Sequence, residues 1–300
     1  AVALRALVRA HALSLGAHGD ADAAEQRAQN RQFSEDLAVR ICCVIALDHF
    51  GDYASESVVA PVRETCAQVL GALAANLEPA QVRALTAALI RMQVRQEWHV
   101  RHASFLALKY TMALRQGDML EELAPVLLPS ILKGLHDADD EVRAAAAATL
   151  EPLCQKLVSV GDTAHHLQSA SDRCWAMLLD DDSNVTTIAT MKLAAALHIS
   201  DGSESAQVPA FCARARGMLR FLAHESLEVR RQALTLLPGA VDAAVSCAVS
   251  QMEQVDSSFA TQVLCRLFHA LLCETAHDLC QEGARVWRSV VVALREHLIG

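Results

Sequence analysis

The sequence is poor in aromatic residues, which make up 4% of its 300 positions, and it holds only 12 glycines and 7 prolines. Strands favour aromatic and β-branched side chains, so this shortage argues against a β-sheet protein. Alanine and leucine are abundant instead, and both lose little conformational entropy in a helix. With 53% hydrophobic and 20% charged residues, the chain can bury a core, which excludes bulk disorder.

An excess of basic residues is also missing, because the formal net charge is −9. Proteins that bind DNA usually present a basic surface that displaces counterions from the phosphates. We therefore expect no direct contact between this segment and nucleic acid. The negative balance is compatible with a basic protein as partner.

Long hydrophobic runs are absent too, since no 18 consecutive residues are all apolar, and we expect no membrane contact. The opening stretch AVALRALVRA is apolar and basic, but it lacks a starting methionine and a small-residue cleavage site. We do not interpret it as a signal peptide. The missing methionine and the abrupt ending LREHLIG suggest a piece of a longer chain.

Catalytic and cofactor motifs are missing as well: there is no phosphate-binding loop, GxSxG, HExxH or dinucleotide fingerprint. We predict no enzymatic activity and no cofactor for this segment. The ten cysteines form no CxxC pair, which favours free thiols in a reducing compartment. The metal-ligand types His269, Cys273, His277 and Cys280 would spread over about 16 Å of a straight helix, too far for one tetrahedral ion.

A repeated pattern is present along the chain. A polar turn is followed by Val, usually then Arg, and by apolar residues at helical spacing. The copies begin at Val62, Val100, Val142, Val185 and Val229, which are 38, 42, 43 and 44 residues apart. HEAT and armadillo repeats recur at about 40–47 residues. Asp139, Asp182 and Ser226 stand three residues before Val, where a side-chain oxygen can cap a helix.

An apolar helix precedes each of these helices across a short turn, so the two should form antiparallel pairs that stack to bury their apolar faces. We predict an all-α HEAT-repeat α-solenoid of about six pairs, the last being 260–273 and 277–294. We expect residues 1–34 to hold the end of a preceding repeat and a mobile polar insertion at 15–34. The solenoid should then span 35–300, with 238–257 left unplaced.

Charged residues cluster at the predicted turns, and two interpretations stay open. The arginines after Val should pair with turn carboxylates of the same or the next repeat. The acidic groups at 137–141, 180–182 and 225–228 either form a negative edge that attracts a basic partner or cap helices as solvated clusters.

Three phrases carry a resemblance to a known family. They are DLAVRICCVIALDHFGDYASESVVAPVRETCAQVL (Asp36–Leu70), QEWHVRHASFLALKYTMALRQ (Gln96–Gln116) and PSILKGLHDADDEVRAAAAATLEPL (Pro129–Leu153). They closely resemble the HEAT region of the TATA-binding-protein-associated Swi/Snf-type ATPases. Weaker similarities follow in the family's order across nearly the whole chain.

The resemblance implies a nuclear transcription regulator. In that family a HEAT array grips TATA-binding protein, largely through the loops between helices, and a C-terminal ATPase strips it from DNA. No helicase motif is recognisable here, nor is the family's inserted segment that occupies the DNA-binding face of TATA-binding protein, so this segment should contribute binding alone. The contacts that we predict are Glu97, Trp98, Asp139, Asp140, Glu141, Asp181 and Asp182. The alternatives are a rigid spacer and a general HEAT scaffold with another protein partner.

Overall fold

The computed structural model describes residues 21–47, 56–113, 118–161, 163–180, 184–198, 208–250 and 257–295. Every regular element in these ranges is a helix, which confirms the all-α prediction. The chain divides into two compact units, residues 1–166 and 167–300. The helices of the first unit are α1 (Ala21–Leu47), α2 (Glu56–Ala74), α3 (Pro79–Met92), α4 (Trp98–Ala113), α5 (Asp118–Gly134), α6 (Asp140–Leu150) and, after a 3₁₀ turn at Glu151–Leu153, α7 (Cys154–Leu157).

The described part of the first unit contains three helix pairs, α1 with α2, α3 with α4, and α5 with α6. The second helices of the pairs, α2, α4 and α6, pack side by side and form the centre of the core. A fully buried Phe105 on α4 lies at this centre. Gly71 of α2 faces α4 so closely that a Cβ there would stand 2.7 Å from the Tyr110 carbonyl oxygen. Glycine at this position lets the two helix backbones approach each other.

The second unit repeats the arrangement with three further pairs. Its helices are α8 (Ala164–Asp180), α9 (Asn184–His198), α10 (Val208–Met218) followed by a 3₁₀ turn at Leu219–Ala223, α11 (Leu227–Ser250), α12 (Ser257–Cys273) and α13 (His277–Leu294). The central helix α11 packs between α9 and α13. The described residues thus form six helix pairs, and the predicted last pair is confirmed to within three residues at its start.

Two stretches differ from the expectations drawn from the sequence. The polar segment 15–34, expected to be mobile, is helical from Ala21 onward, because its Ala, Gln, Glu and Arg residues are good helix formers. Residues 15–20 lie outside the described ranges, and the expected boundary at 34–35 falls inside α1. The unplaced stretch from Pro238 is helical as far as Ser250. Its buried stripe continues past the proline at Val241, Ala244 and Ala248.

By length and composition, the stretch Leu227–Val249 could cross a membrane. In the structure it is the central helix of the second unit, and its polar start is tied to α13. Arg231 donates to Asp278 at the beginning of α13, at 2.5 Å. These contacts and its place between two other helices fit the core helix of a repeat array.

Candidate protein-interaction edge

The predicted contact residues of the first unit lie where α4 and α6 begin. Glu97 directly precedes α4, and its carbonyl oxygen accepts the N–H groups of Val100 and Arg101 at 3.1 and 3.3 Å. Asp139 directly precedes α6. Its carboxylate accepts the N–H groups of Glu141 and Val142 at 3.1 and 3.3 Å, which confirms it as the N-cap of this helix.

The turn before α6 is held by a bidentate ion pair with an arginine of the preceding repeat. Arg101 donates from Nε and Nη2 to the two carboxylate oxygens of Asp137, at 2.7 and 2.8 Å. The two side chains are 15% and 13% exposed. Burial by itself would raise the pKa of Asp137, but hydrogen bonds from Arg101 and from the Asp139 N–H outweigh it and hold that pKa below its ordinary value.

The second unit contains an equivalent bidentate ion pair. Arg230 donates to the two carboxylate oxygens of Glu274 at 2.7 and 3.1 Å. Its Nη1 also donates to the carbonyl oxygens of His224 and Glu225 in its own turn. Arg143 makes the corresponding carbonyl contacts, to Asp137 and Ala138 at 3.0 Å. The expected pairing with turn carboxylates of the next repeat is therefore confirmed for Arg101 and Arg230.

A different arrangement surrounds Arg63, whose guanidinium carbon lies 5.7 Å from the Trp98 ring centroid. Trp98 in turn makes edge contacts with His102, with the ring centroids 6.3 Å apart. Burial, and then the charge of Arg63, lower the pKa of His102 to about 4, so this ring is neutral at physiological pH. His102 Nδ1 is buried without a hydrogen-bond partner. No pattern in the sequence indicates this grouping, apart from the position that Arg63 shares with Arg101 directly after Val.

Glu141 lies on the same edge. Burial raises its pKa, helped by the neighbouring carboxylates of Asp140 and Asp139, while the charge of Arg63 opposes that rise. We call Arg63, Trp98, His102, Asp140 and Glu141 the turn cluster. It brings the first turns of α4 and α6 together with Arg63, which lies two turns into α2, in one patch that combines two aromatic rings, the Arg63 guanidinium and two carboxylates.

The seven predicted contact residues therefore fall into three groups. Trp98, Asp140 and Glu141 belong to the turn cluster, and the exposed Glu97 lies next to it. Asp139 caps α6, and its carboxylate accepts hydrogen bonds from backbone N–H groups. The remaining two, Asp181 and Asp182, lie outside the described residues.

Ligand-type residues do not assemble elsewhere in the part of the chain that the structure describes. No group of three or more His, Cys, Asp or Glu side chains in these ranges is arranged to hold a metal ion. Cys273 Sγ and His269 Nε2 are 3.9 Å apart on one face of α12. Cys280 lies on α13, where its thiol donates to the Glu274 carbonyl oxygen at 3.4 Å.

Comparison with known structures agrees with the fold. The HEAT repeat family model matches residues 127–157, which correspond to the end of α5, α6 and α7. A crystal structure of importin beta superposes with a TM-score of 0.66 at 15% identity, over 98% of this chain and 35% of importin beta. The structure of Kap95p bound to RanGDP gives 0.64 at 15% identity, over 89% of this chain and 32% of that one. At such low identity the likeness concerns the fold alone.

Comparison of sequences decides the family. The human TATA-binding protein-associated factor 172 is 33% identical over 297 residues, which is 96% of this chain. The chain belongs to the TATA-binding protein-associated factors. The family member BTAF1 of Arabidopsis thaliana is 33% identical over 88% of the chain, and MOT1 of Saccharomyces cerevisiae is 29% identical over 79%. The chain spans 15% of the human factor's length and 14% of the other two.

Proposed function

We propose that this segment is a protein-binding scaffold that contacts TATA-binding protein within a nuclear transcription regulator. A separate ATPase of the same regulator would then remove TATA-binding protein from DNA, and this segment would have no catalytic part in that step. The observation that carries the proposal is similarity along nearly the whole chain to factors named for their association with TATA-binding protein. A stack of helix pairs suits the role, because repeat arrays present extended binding surfaces.

The turn cluster is the contact surface that we favour. Interface residues that dominate binding energy are enriched in Trp and Arg, and here Trp98 stacks against Arg63. Asp140 and Glu141 add negative charge beside them, which would attract a basic partner and speed its association. Glu97 extends this charge at the start of α4. Asp181 and Asp182 stay predicted contacts of the second unit.

Two other carboxylates of this edge stabilise the turn before α6. Asp137 pairs with Arg101, and Asp139 caps α6. Replacing either would disturb the turn itself, and a loss of binding would then say nothing about contact. A clean test must leave both in place and change Asp140 and Glu141, whose side chains project from the first turn of α6.

The test is a double charge reversal, Asp140→Lys with Glu141→Lys, in the 300-residue chain. Binding to purified TATA-binding protein is measured by biolayer interferometry at fixed salt. We expect at least tenfold weaker binding, because two attractive contacts become repulsive. The matched control is Glu25→Lys on α1 with Glu121→Lys on α5, which makes the same change in net charge away from the turn cluster and leaves the Arg83–Glu122 pair intact. Equal affinity of the cluster variant and the parent chain, with helicity intact, would refute the assignment of the contact surface.

A rigid spacer is the second candidate. The partly buried pairs Arg101–Asp137 and Arg230–Glu274 each tie consecutive repeats together, and a spacer needs such stiffness. A parent chain that retains no TATA-binding protein in a pull-down would favour the spacer. Retention of a different protein from nuclear extract, without TATA-binding protein, would favour a HEAT scaffold with another partner.

A further inference from the structure

Helix α12 exposes a thiol and an imidazole ring one helical turn apart. Cys273 Sγ lies 3.9 Å from His269 Nε2, and both side chains are exposed to solvent. Residues at positions i and i+4 share one face of a helix, and helical side chains lean toward the N-terminus. The thiol therefore reaches back to the ring, and the pair is open to solvent.

The separation of these two donor atoms suits a tetrahedral zinc ion. Zinc binds thiolate sulfur at about 2.3 Å and imidazole nitrogen at about 2.0–2.1 Å. Two such bonds at the tetrahedral angle place sulfur and nitrogen about 3.6 Å apart. Cys273 Sγ and His269 Nε2 would need to approach each other by only about 0.3 Å to bind one ion. Thiolate and imidazole are also donor types that zinc accepts well.

The same chain does not place a third ligand beside this pair. Cys265 lies eight residues before Cys273, which is about 12 Å along the helix, on the other side of His269. The Cys280 thiol donates to a carbonyl oxygen of its own turn at 3.4 Å. No group of three His, Cys, Asp or Glu side chains in the described ranges could hold a metal ion. A structural zinc ion takes four ligands, so two positions stay open.

A second copy of the chain would supply both missing ligands. Two Cys-His pairs make the Cys₂His₂ set that is common in structural zinc sites. A twofold axis through the ion brings the same face of α12 together from both copies. Leu272, three residues after His269, is 69% exposed, and Phe268 continues this apolar strip at 51%. Contact between two such strips would remove apolar surface from water.

The charges near the pair are compatible with this contact. Arg266 is the one charged residue of α12, three positions before His269. Glu274, which follows Cys273, is already held by Arg230 and by two backbone N–H groups of its turn. Two thiolates balance the charge of one Zn²⁺. The charge that remains is that of the two Arg266 side chains, and solvent and salt screen their repulsion.

We infer that His269 and Cys273 form half of a zinc site, which two copies of the chain complete. Each Cys273 thiol loses its proton to solvent as its sulfur binds the ion, and each His269 binds as a neutral ring through Nε2. One Zn²⁺ then joins two chains through α12. The inference does not rest on the proposed function, because the turn cluster belongs to the first unit.

The test uses the 300-residue chain under reducing conditions, with Zn²⁺ alone as the ligand. Sedimentation velocity should show a monomer in EDTA and a dimer with zinc, at one ion per two chains. With Co²⁺ in place of Zn²⁺, a sulfur-to-metal charge-transfer band should appear. Cys273→Ser and His269→Gln should each weaken zinc-dependent dimerisation at least tenfold. The control Cys265→Ser changes another exposed cysteine of α12 and should alter it less than twofold.

Four results would overturn this inference. A chain that stays monomeric at saturating Zn²⁺ would remove the second copy, even if zinc is bound. A dimer that persists in EDTA would show that metal does not hold the copies together. Unchanged dimerisation in the Cys273→Ser variant would exclude this thiol as a ligand. An equal loss in the Cys265→Ser variant, with helicity intact in all variants, would assign the ion to a different set of ligands.

Discussion

Removing Arg101 should destabilise the first unit much more than removing a comparable arginine on its surface. Arg101→Ala deletes two charged hydrogen bonds to Asp137 and two more to backbone carbonyl oxygens of Arg95 and Gln96. Asp137 then keeps the Asp139 N–H as a donor, at 3.0 Å, in a site that is 13% exposed. Breaking one side of a buried ion pair costs about 3–5 kcal/mol, and the remaining exposure favours the lower end, about 3 kcal/mol.

The matched control is Arg83→Ala. Arg83 also makes a two-pronged pair, with Glu122 of the next repeat, but the side chains are 48% and 46% exposed. Exposed pairs add little to stability, because solvent and salt screen their charges. Both variants are compared by urea unfolding followed by circular dichroism at 222 nm. Equal losses of unfolding free energy in the two variants would refute the view that burial gives the Arg101 pair its strength.

The same pair predicts a dependence on pH. Folding lowers the pKa of Asp137 below its ordinary value of 3.8. The stabilisation is therefore complete above the unfolded-state pKa and disappears as the pH falls through the lower folded-state pKa. The difference between the parent chain and Arg101→Ala should be constant from pH 7 to 5 and should shrink below pH 3.8.

Three further substitutions test other parts of the structure. His102→Gln should reduce the loss of stability between pH 6.5 and about 4. In the parent chain the unfolded state binds a proton in this range and the folded state does not, so acid titration of the unfolding midpoint would show the difference. Gly71→Ala should cost about 1–3 kcal/mol in thermal unfolding, because its Cβ would collide with the Tyr110 backbone, whereas Gly161→Ala, with nothing within 4 Å, should be nearly neutral. Asp139→Ala should cost about 1 kcal/mol through loss of the α6 cap, with a smaller loss contradicting that role.

The repeat architecture could be predicted because its signals are local. A polar turn, a capping residue and apolar residues at steps of three and four all lie within one repeat. The last pair shows this clearly: the short turn Glu274–Ala276 and two strongly amphipathic flanks predicted α12 and α13 almost to the residue. The sequence did not indicate a helix over 21–34, because these residues favour a helix but are mostly polar and show little hydrophobic periodicity.

The site was less predictable because the role of each residue depends on its neighbours from other repeats. Asp137, Asp139 and Asp140 look alike in sequence, yet one pairs with Arg101 and one caps a helix. Arg63 has the same local setting as Arg101 but stacks on Trp98. The hydrogen bond from Gln81 of α3 to Glu35 of α1 joins residues 46 positions apart, which no local pattern encodes.

The most direct measurement of the central proposal is hydrogen–deuterium exchange of the 300-residue chain with and without purified TATA-binding protein. We expect slower exchange in peptides that cover 95–102 and 136–143, where α4 and α6 begin, and little change along α12 and α13. Slower exchange confined to other helices, or no change at saturating TATA-binding protein, would contradict the proposal that this edge makes the contact.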